Sequence, residues 1–383
     1  MNTGTPTVHC TGRSPTDTLS SNMFSAGNAP ANRLTPPKGL HMSAHRLLAT
    51  SAPLSRRHLL KVAGATLLAG SLAAQAGLAG CKKDEGDGPR RVVIGTLATE
   101  DFLPVWVAQE EGLFNPEVLD VQVQVFQSAT ELQAGIKSGQ VHLAMTDPMV
   151  TAGIFVSGTN VRIQWITLGT TAAQGRFGIM VNAENHAAGY TSLKRLADMP
   201  IGVGSNTILE YVMDTLMARA GVAEKHVKKT EVQKLPLRYQ NMMDGVITAA
   251  ALPASLLALG EANGCVCVAD DTTGDNISQS VMIARADWLD SDPDKVLLGA
   301  LMAGWNEAVG HINASPDAYR ALLVEKANLN EVLAETYPVS TYPGCQLPTN
   351  EMIDPVLDWM STKGYLEYPI TYDAATGAFL PAV

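Results

Sequence analysis

Basic residues are scarce in this chain, and their distribution makes the scarcity sharper. The 383 residues include 27 Lys and Arg against 37 Asp and Glu, and residues 1–80 hold 7 of the basic residues but only 1 of the acidic ones. Residues 81–383 therefore carry 20 against 36, a formal charge of −16. A surface of that sign excludes nucleic acid and an anionic membrane face as partners, because like charges repel. Any anionic ligand needs a local site that works against the global field. Cysteine is also sparse: of five, Cys10 and Cys81 lie early, and Cys265, Cys267 and Cys345 form an odd set. Cys265 and Cys267 sit two apart in the strand-like GCVCVAD, so they share a face and are too distant for an unstrained bridge. Buried thiols are the expectation. Paired nucleophile and base, phosphate loop and metal-ligand spacing are all missing. His142, His186, His226 and His311 fall on separate elements. No catalytic residue, cofactor or metal is assigned. Strongly apolar runs are missing as well. The stretch from Val62 to Ala79 is interrupted by Gly64, Gly70, Ser71, Gln75 and Gly77, whereas a membrane span wants roughly 20 strongly apolar residues.

What is present begins with an address, Ser55 to Cys81. Its order of basic residues, weakly apolar run and small residues is that of an export signal. Ser55-Arg56-Arg57-His58-Leu59-Leu60-Lys61 resembles the twin-arginine motif, with Leu59 where that motif often has Phe. Leu78-Ala79-Gly80-Cys81 resembles the lipobox of bacterial lipoproteins, which makes Cys81 the expected lipid attachment site. Residues 1–54 are read as disordered or as a start assigned too early, with Met42 as an alternative start. Residues 82–90 are charged and glycine-containing, as suits a tether. A protein so addressed works in the periplasm or on the outer face of the cytoplasmic membrane, lipid-anchored.

From Arg91 strands and short helices alternate. RVVIGTLA reads as a buried strand, Pro104 to Glu111 as a helix closed by Gly112, and Leu119 to Phe126 as an alternating strand. Ser128 caps a helix running to Gly139, VHLAMTD is the next strand, Pro148 opens a helix, and VRIQWITLG closes the series. The segment from Pro200 repeats the plan: strand IGVGS, a helix from Asn206 to Gly221, strand Thr230 to Gln233, and a helix at Pro236. Strand Ile247 to Leu252, a helix at Pro253 and strand CVCVAD then follow. Ser138 to Ala144 leading into Asp147-Pro148 parallels Asp244 to Ala250 leading into Leu252-Pro253. Such alternation predicts an α/β fold in which two lobes each carry a mostly parallel sheet flanked by helices. The lobes are placed at 91–179 and 180–281, with 282–383 returning to the first. Arg176 to Val181 and Ser280 to Trp288 are candidate hinge strands. Helices are expected over Pro293–Ile312, Pro316–Lys326 and Glu351–Lys363.

Three stretches carry a family resemblance: IGTLATEDFLPVWVAQEEGLF, LDVQVQVFQSATELQAGIKSGQVHLAMTD and LADMPIGVGSNTILEYVMDTLMARAGV. Together with LPLRYQNMMDGVITAAALPASLLAL, they make the chain from Arg91 to about Trp359 similar to the type II periplasmic binding proteins of ABC importers. The branch is the one that binds nitrate, sulfonates, taurine and thiamine precursors. The resemblance implies a monomeric receptor that traps a small-molecule ligand between its lobes and passes it to an ABC permease and its ATPase. The alternatives on the same fold are an enzyme of menaquinone- or pyrimidine-pathway type and a ligand-sensing lipoprotein. The thiamine-precursor members carry an aromatic, proline-rich first loop. This chain has Thr96-Leu97-Ala98-Thr99-Glu100-Asp101 there, which counts against a pyrimidine, and its two acids count against a small inorganic anion.

In open α/β sheets, ligands bind beyond the carboxyl ends of strands, where helix N-termini offer free N–H groups. The candidate ligand-binding residues are therefore Thr96, Phe102, Thr146, Asp147, Thr170, Thr171, Ser205, Asn206, Thr207 and Pro253. Ser205-Asn206-Thr207 leads this set, against plain N-capping as the bland explanation. Asp147 is as readily a cap for the next helix, and Arg176 and Arg238 read by default as surface charges.

Overall fold

The structure, a computed structural model, describes residues 88–382. The twin-arginine and lipobox readings, Cys81 and most of the tether lie outside the described residues.

Apolar runs bounded by glycine and proline become strands in chain order. They are β1 (Arg90–Leu97), β2 (Leu119–Phe126), β3 (Leu143–Thr146), β4 (Val161–Leu168), β5 (Phe177–Val181) and β6 (Pro200–Val203). β7 (Lys228–Glu231), β8 (Ala249–Pro253), β9 (Val266–Asp270), β10 (Ser280–Arg285), β11 (Ile370–Asp373) and β12 (Ala378–Pro381) follow. The helices between them are α1 (Leu103–Glu110), α2 (Ala129–Lys137), α3 (Pro148–Val156), α4 (Ala183–Ala187), α5 (Ile208–Arg219) and α6 (Leu235–Met243). The rest are α7 (Ala254–Ala262), α8 (Ala286–Asp290), α9 (Val296–Ala314), α10 (Arg320–Lys326) and α11 (Asn350–Lys363).

Local chemistry explains several boundaries. The Ser128 hydroxyl accepts the Glu131 N–H, and the Asp147 carboxylate accepts the Val150 N–H at 2.8 Å, so each satisfies a donor that a helix start leaves free. Asp292 does the same from outside α9, its two oxygens accepting the N–H groups of Val296, Leu297 and Leu298 at 3.0 Å.

The strands form two sheets, in the orders β11-β12-β4-β10-β3-β1-β2 and β7-β6-β8-β5-β9. The same plan underlies both. In each, the first strand pairs in parallel with the second and third, β1 with β2 and β3, and β6 with β7 and β8. One antiparallel strand is then inserted before the fourth: β10 in the first sheet, β5 in the second. The two-lobed α/β architecture read from the sequence is the one observed. The chain crosses between sheets in segments 169–176 and 271–279. The sequence-derived boundaries at 179/180 and 281/282 fall inside β5 and β10, each of which belongs whole to the sheet it joins.

The crossing segments run side by side. Asn276 Nδ2 donates to Gly169 O at 2.9 Å, and buried Asp271 accepts the Phe177 N–H at 2.8 Å and the Ser278 hydroxyl. Gly169 has φ +93°, and a Cβ there would lie 2.4 Å from Ser278 O, so only glycine lets the two segments approach.

The C-terminal part returns to the first sheet, as expected, with α9 packed on α1 through the cluster containing Trp106, Leu301 and Trp305. It also adds a β11–β12 hairpin to the sheet edge, which the sequence reading does not contain. A second cluster unites the lobes, combining Met149 and Ile154 of α3, Ile208 and Val212 of α5, and Ile353 and Met360 of α11. Cys265 is buried, Cys267 and Cys345 are half-buried, and all three are free thiols.

Candidate functional site

Two sheets whose strands end toward each other leave a space between their carboxyl ends. That cleft takes in about 790 Å³ of space, the open solvent at its mouth included. Both lobes line it. The first contributes Leu97, Thr99, Glu100, Asp101, Met145, Thr146, Asp147 and Leu168; the second contributes Thr207, Ile208, Leu209, Gln233, Leu235, Arg238 and Pro253. Phe177, Ser278 and Ser280 come from the crossings and the strands they enter. Apolar atoms make up most of its exposed surface, although half of the side chains that line it are polar or charged.

Of the residues singled out from the sequence, Thr146, Asp147, Thr207 and Pro253 come together on this lining. The others lie elsewhere. Thr96 is buried in β1 and its hydroxyl donates to Leu97 O at 2.8 Å. Phe102 is a core residue, edge-on to Trp106 with ring centroids 5.4 Å apart, because its helical turn directs it under α1. Thr170 is tied to Gln174, and Thr171 starts the turn whose N–H donor is Gln174. Ser205 donates its hydroxyl to Glu231, and the Asn206 N–H goes to Glu210 Oε2 at 2.7 Å. The leading triplet thus contributes only Thr207 to the lining, and the Thr207 hydroxyl is itself occupied with Gly204 O at 2.7 Å.

Three acids dominate the first-lobe wall. Asp147 keeps one oxygen on its own helix, while its Oδ2 reaches across the cleft to accept the Ile208 N–H at the start of α5, at 3.4 Å. Glu100 does the same for α7: its Oε2 accepts the Ser255 N–H at 3.1 Å and the Tyr337 hydroxyl at 3.3 Å, and Tyr342 donates to its backbone carbonyl at 2.7 Å. Each carboxyl therefore sits at the positive end of a helix from the opposite lobe. Burial pushes Glu100 up to about 8, with the adjacent Asp101 carboxylate adding to the effect, and burial pushes Asp147 up to about 6. Asp101 is also raised by burial, against the lowering pull of the Ser280 and Thr99 hydroxyls. Its Oδ1 is buried and has no hydrogen-bond partner.

The opposite wall carries Arg238, which is 1% exposed and so is not the surface charge expected from the sequence. Its Nε, Nη1 and Nη2 donate to the carbonyls of Val232, Ala251 and Gln233 at 2.8, 2.9 and 3.3 Å. Burial lowers it to about 10. A Cβ at Gly204 would stand 2.7 Å from Arg238 Nη2, so the second glycine of GVGS makes room for this side chain. Arg176, by contrast, is bound to Glu261 and Asp270 away from the lining.

Glu100 and Asp101 are visible in the sequence as an argument against a small inorganic anion. Gln233, Leu235 and Arg238 carried no such signal, since a basic residue in the first turn of a helix reads as solvent-facing. Tyr337 and Tyr342 come from an irregular segment more than 200 residues from the acid they bind, beyond the reach of any local pattern. Among the described residues, no group of His, Cys, Asp and Glu is arranged to hold a metal ion.

The sequence model of the NMT1-like family matches residues 85–325. No curated protein matches the chain. Many solved structures share the fold. The alkanesulfonate-binding protein SsuA from Xanthomonas axonopodis pv. citri, bound to MOPS, superposes with a TM-score of 0.61 at 14% identity, covering 76% of this chain and 98% of that one. The periplasmic nitrate-binding protein NrtA from Synechocystis PCC 6803 gives 0.58 at 13%, covering 73% and 83%. A cysteine-to-serine mutant of DSZB in complex with biphenyl-2-sulfinic acid gives 0.55 at 13%, covering 73% and 94%. At these identities the likeness to solved structures concerns the fold.

Proposed function

The chain belongs to the NMT1-like family, and on that premise we propose that it is an extracytoplasmic solute receptor delivering a small organic ligand to an ABC import permease and its ATPase. The observation that carries this reading is one cleft lined from both sheets, at the carboxyl ends of their strands, with the lobes linked through the paired crossings and the shared apolar cluster. Such a site gains its contacts when the lobes close and loses them when they part, which suits capture and release. Residues 55–81 then serve as a twin-arginine lipoprotein signal, Cys81 as the lipid anchor and residues 82–90 as the tether that lets a monomer work at the membrane surface.

A fold-related enzyme is the competing class. The described lining carries threonine and serine hydroxyls and carboxyls, and no Cys, His or Lys. A receptor that binds only its folded state is stabilised by its ligand. The purified protein, melted in the presence of a panel of small amines, alcohols, sulfonates, carboxylates and pyrimidines, should show a raised midpoint with a narrow subset. A flat response across the panel would remove the receptor assignment. A ligand turned over chemically during the incubation would move the chain to the enzyme class.

A further inference from the structure

The electrostatics of the cleft bear on what it selects. Glu100, Asp101 and Asp147 are each buried on the same wall, no lysine or arginine is among the main influences on their proton affinities, and none of them forms an ion pair among the described residues. Buried carboxylates are normally paired, because the cost of desolvating them is not otherwise offset. Two of the three have taken backbone N–H groups instead: Asp147 that of Ile208 at the head of α5, and Glu100 that of Ser255 at the head of α7. Those helix starts are where an anionic ligand group would be received, so the protein's own carboxyls hold both places. The third acid, Asp101, is 7% exposed and lines the cleft; the Ser280 and Thr99 hydroxyls act on its carboxyl, while its buried Oδ1 has no hydrogen-bond partner. Arg238, the single cation among the described lining residues, has already given an N–H from each of its three nitrogens to backbone carbonyls.

We propose, resting on the receptor reading above, that the ligand is a small organic cation, an ammonium- or amidinium-type nitrogen on an apolar body, whose nitrogen pairs with the Asp101 carboxylate. Its positive charge supplies the counter-charge that the Asp101 carboxylate lacks in a dry site. Its apolar remainder meets Leu97, Met145, Leu168, Phe177, Leu209 and Leu235. A sulfonate, nitrate or carboxylate is rejected, because it would face three carboxyls and find both helix starts occupied. A bare metal ion suits the site poorly, since the described residues offer no set of ligands arranged around one point.

Three probes on one skeleton decide the matter: phenethylamine, phenethyl alcohol and phenethylsulfonate, titrated calorimetrically into the purified protein at neutral pH. The amine should bind about tenfold or more tighter than the alcohol, and the sulfonate should be weakest. Asp101→Asn, which keeps the shape and removes the charge, should bring the amine down to the level of the alcohol. A sulfonate that binds as well as the amine, or an amine affinity untouched by Asp101→Asn, overturns the proposal and leaves the receptor reading standing. Should that variant not fold, the order of the three probes on the unaltered protein decides by itself. A protein that ignores the amine but is stabilised by anions in the broader panel likewise overturns only the proposal, whereas one that ignores probes of every charge takes the receptor reading with it.

Discussion

Glu100 shows how one residue can be legible as chemistry and illegible as geometry. Two neighbouring acids in the first loop argue against a small inorganic anion wherever they point. That Glu100 would cap a helix of the other lobe, beneath two tyrosines from the far end of the chain, follows from packing alone. Its raised proton affinity has a consequence for stability. A carboxyl held at about 8 in the fold, well above its ordinary value near 4.3, stabilises the native state fully below that ordinary value, and the contribution is lost as pH climbs through about 8. Asp147 and Asp271, each raised to about 6 mainly by burial, act in the same direction over the lower part of that window. The thermal midpoint is therefore expected to fall between about pH 6 and about pH 8, and Glu100→Gln should flatten that segment while sparing the lower one. Melting curves across the range test this; a variant whose profile parallels the unaltered protein would show that Glu100 does not titrate there. Arg238 makes the complementary point. Nothing in LPLRYQ distinguishes an arginine folded back onto three carbonyls from one reaching into water.

At the scale of elements, the readings that held were those with a chemical punctuation mark. Ser128, Asp147-Pro148 and Pro236 open helices where expected, because caps and proline act within a few residues. The Ile247 start of the eighth strand moved to Ala249, and the Thr230 start of the seventh moved back to Lys228. Strand ends depend on partners that local pattern does not contain. The hairpin of β11 and β12 went unread, although Asp373 accepting the Ala375 N–H and the Thr376 hydroxyl ahead of Gly377 is ordinary turn chemistry. The crossings between lobes yield a prediction of their own. Gly169→Ala forces a side chain into a left-handed backbone position 2.4 Å from Ser278 O and should cost about 1–3 kcal/mol of stability. Denaturant titration measures it. A loss under about 0.5 kcal/mol, the scale of an ordinary surface change, would mean the two crossing segments separate freely.

For the whole molecule, the strongest statements from sequence concerned class and place. An acidic body behind an export signal and a lipobox is an expectation that Cys81→Ser tests in cells. The protein should pass from the membrane fraction to the soluble periplasmic fraction while keeping the ligand response of the purified form, and retention in the membrane would exclude the Cys81 anchor. The alternation of strands and helices, and its repetition after Pro200, determined the α/β class and the two lobes, because hydrophobic periodicity and turn residues act locally and recur when a structural unit recurs. Only the tertiary structure decided which strand is inserted into which sheet, and that Thr146, Asp147, Thr207 and Pro253 share a cleft while Ser205 and Phe102 do not. It also decided that three acids and one arginine are buried there without pairing. Those outcomes rest on contacts between residues tens to hundreds of positions apart, and burial, which sets both their partners and their proton affinities, is a property of the folded whole.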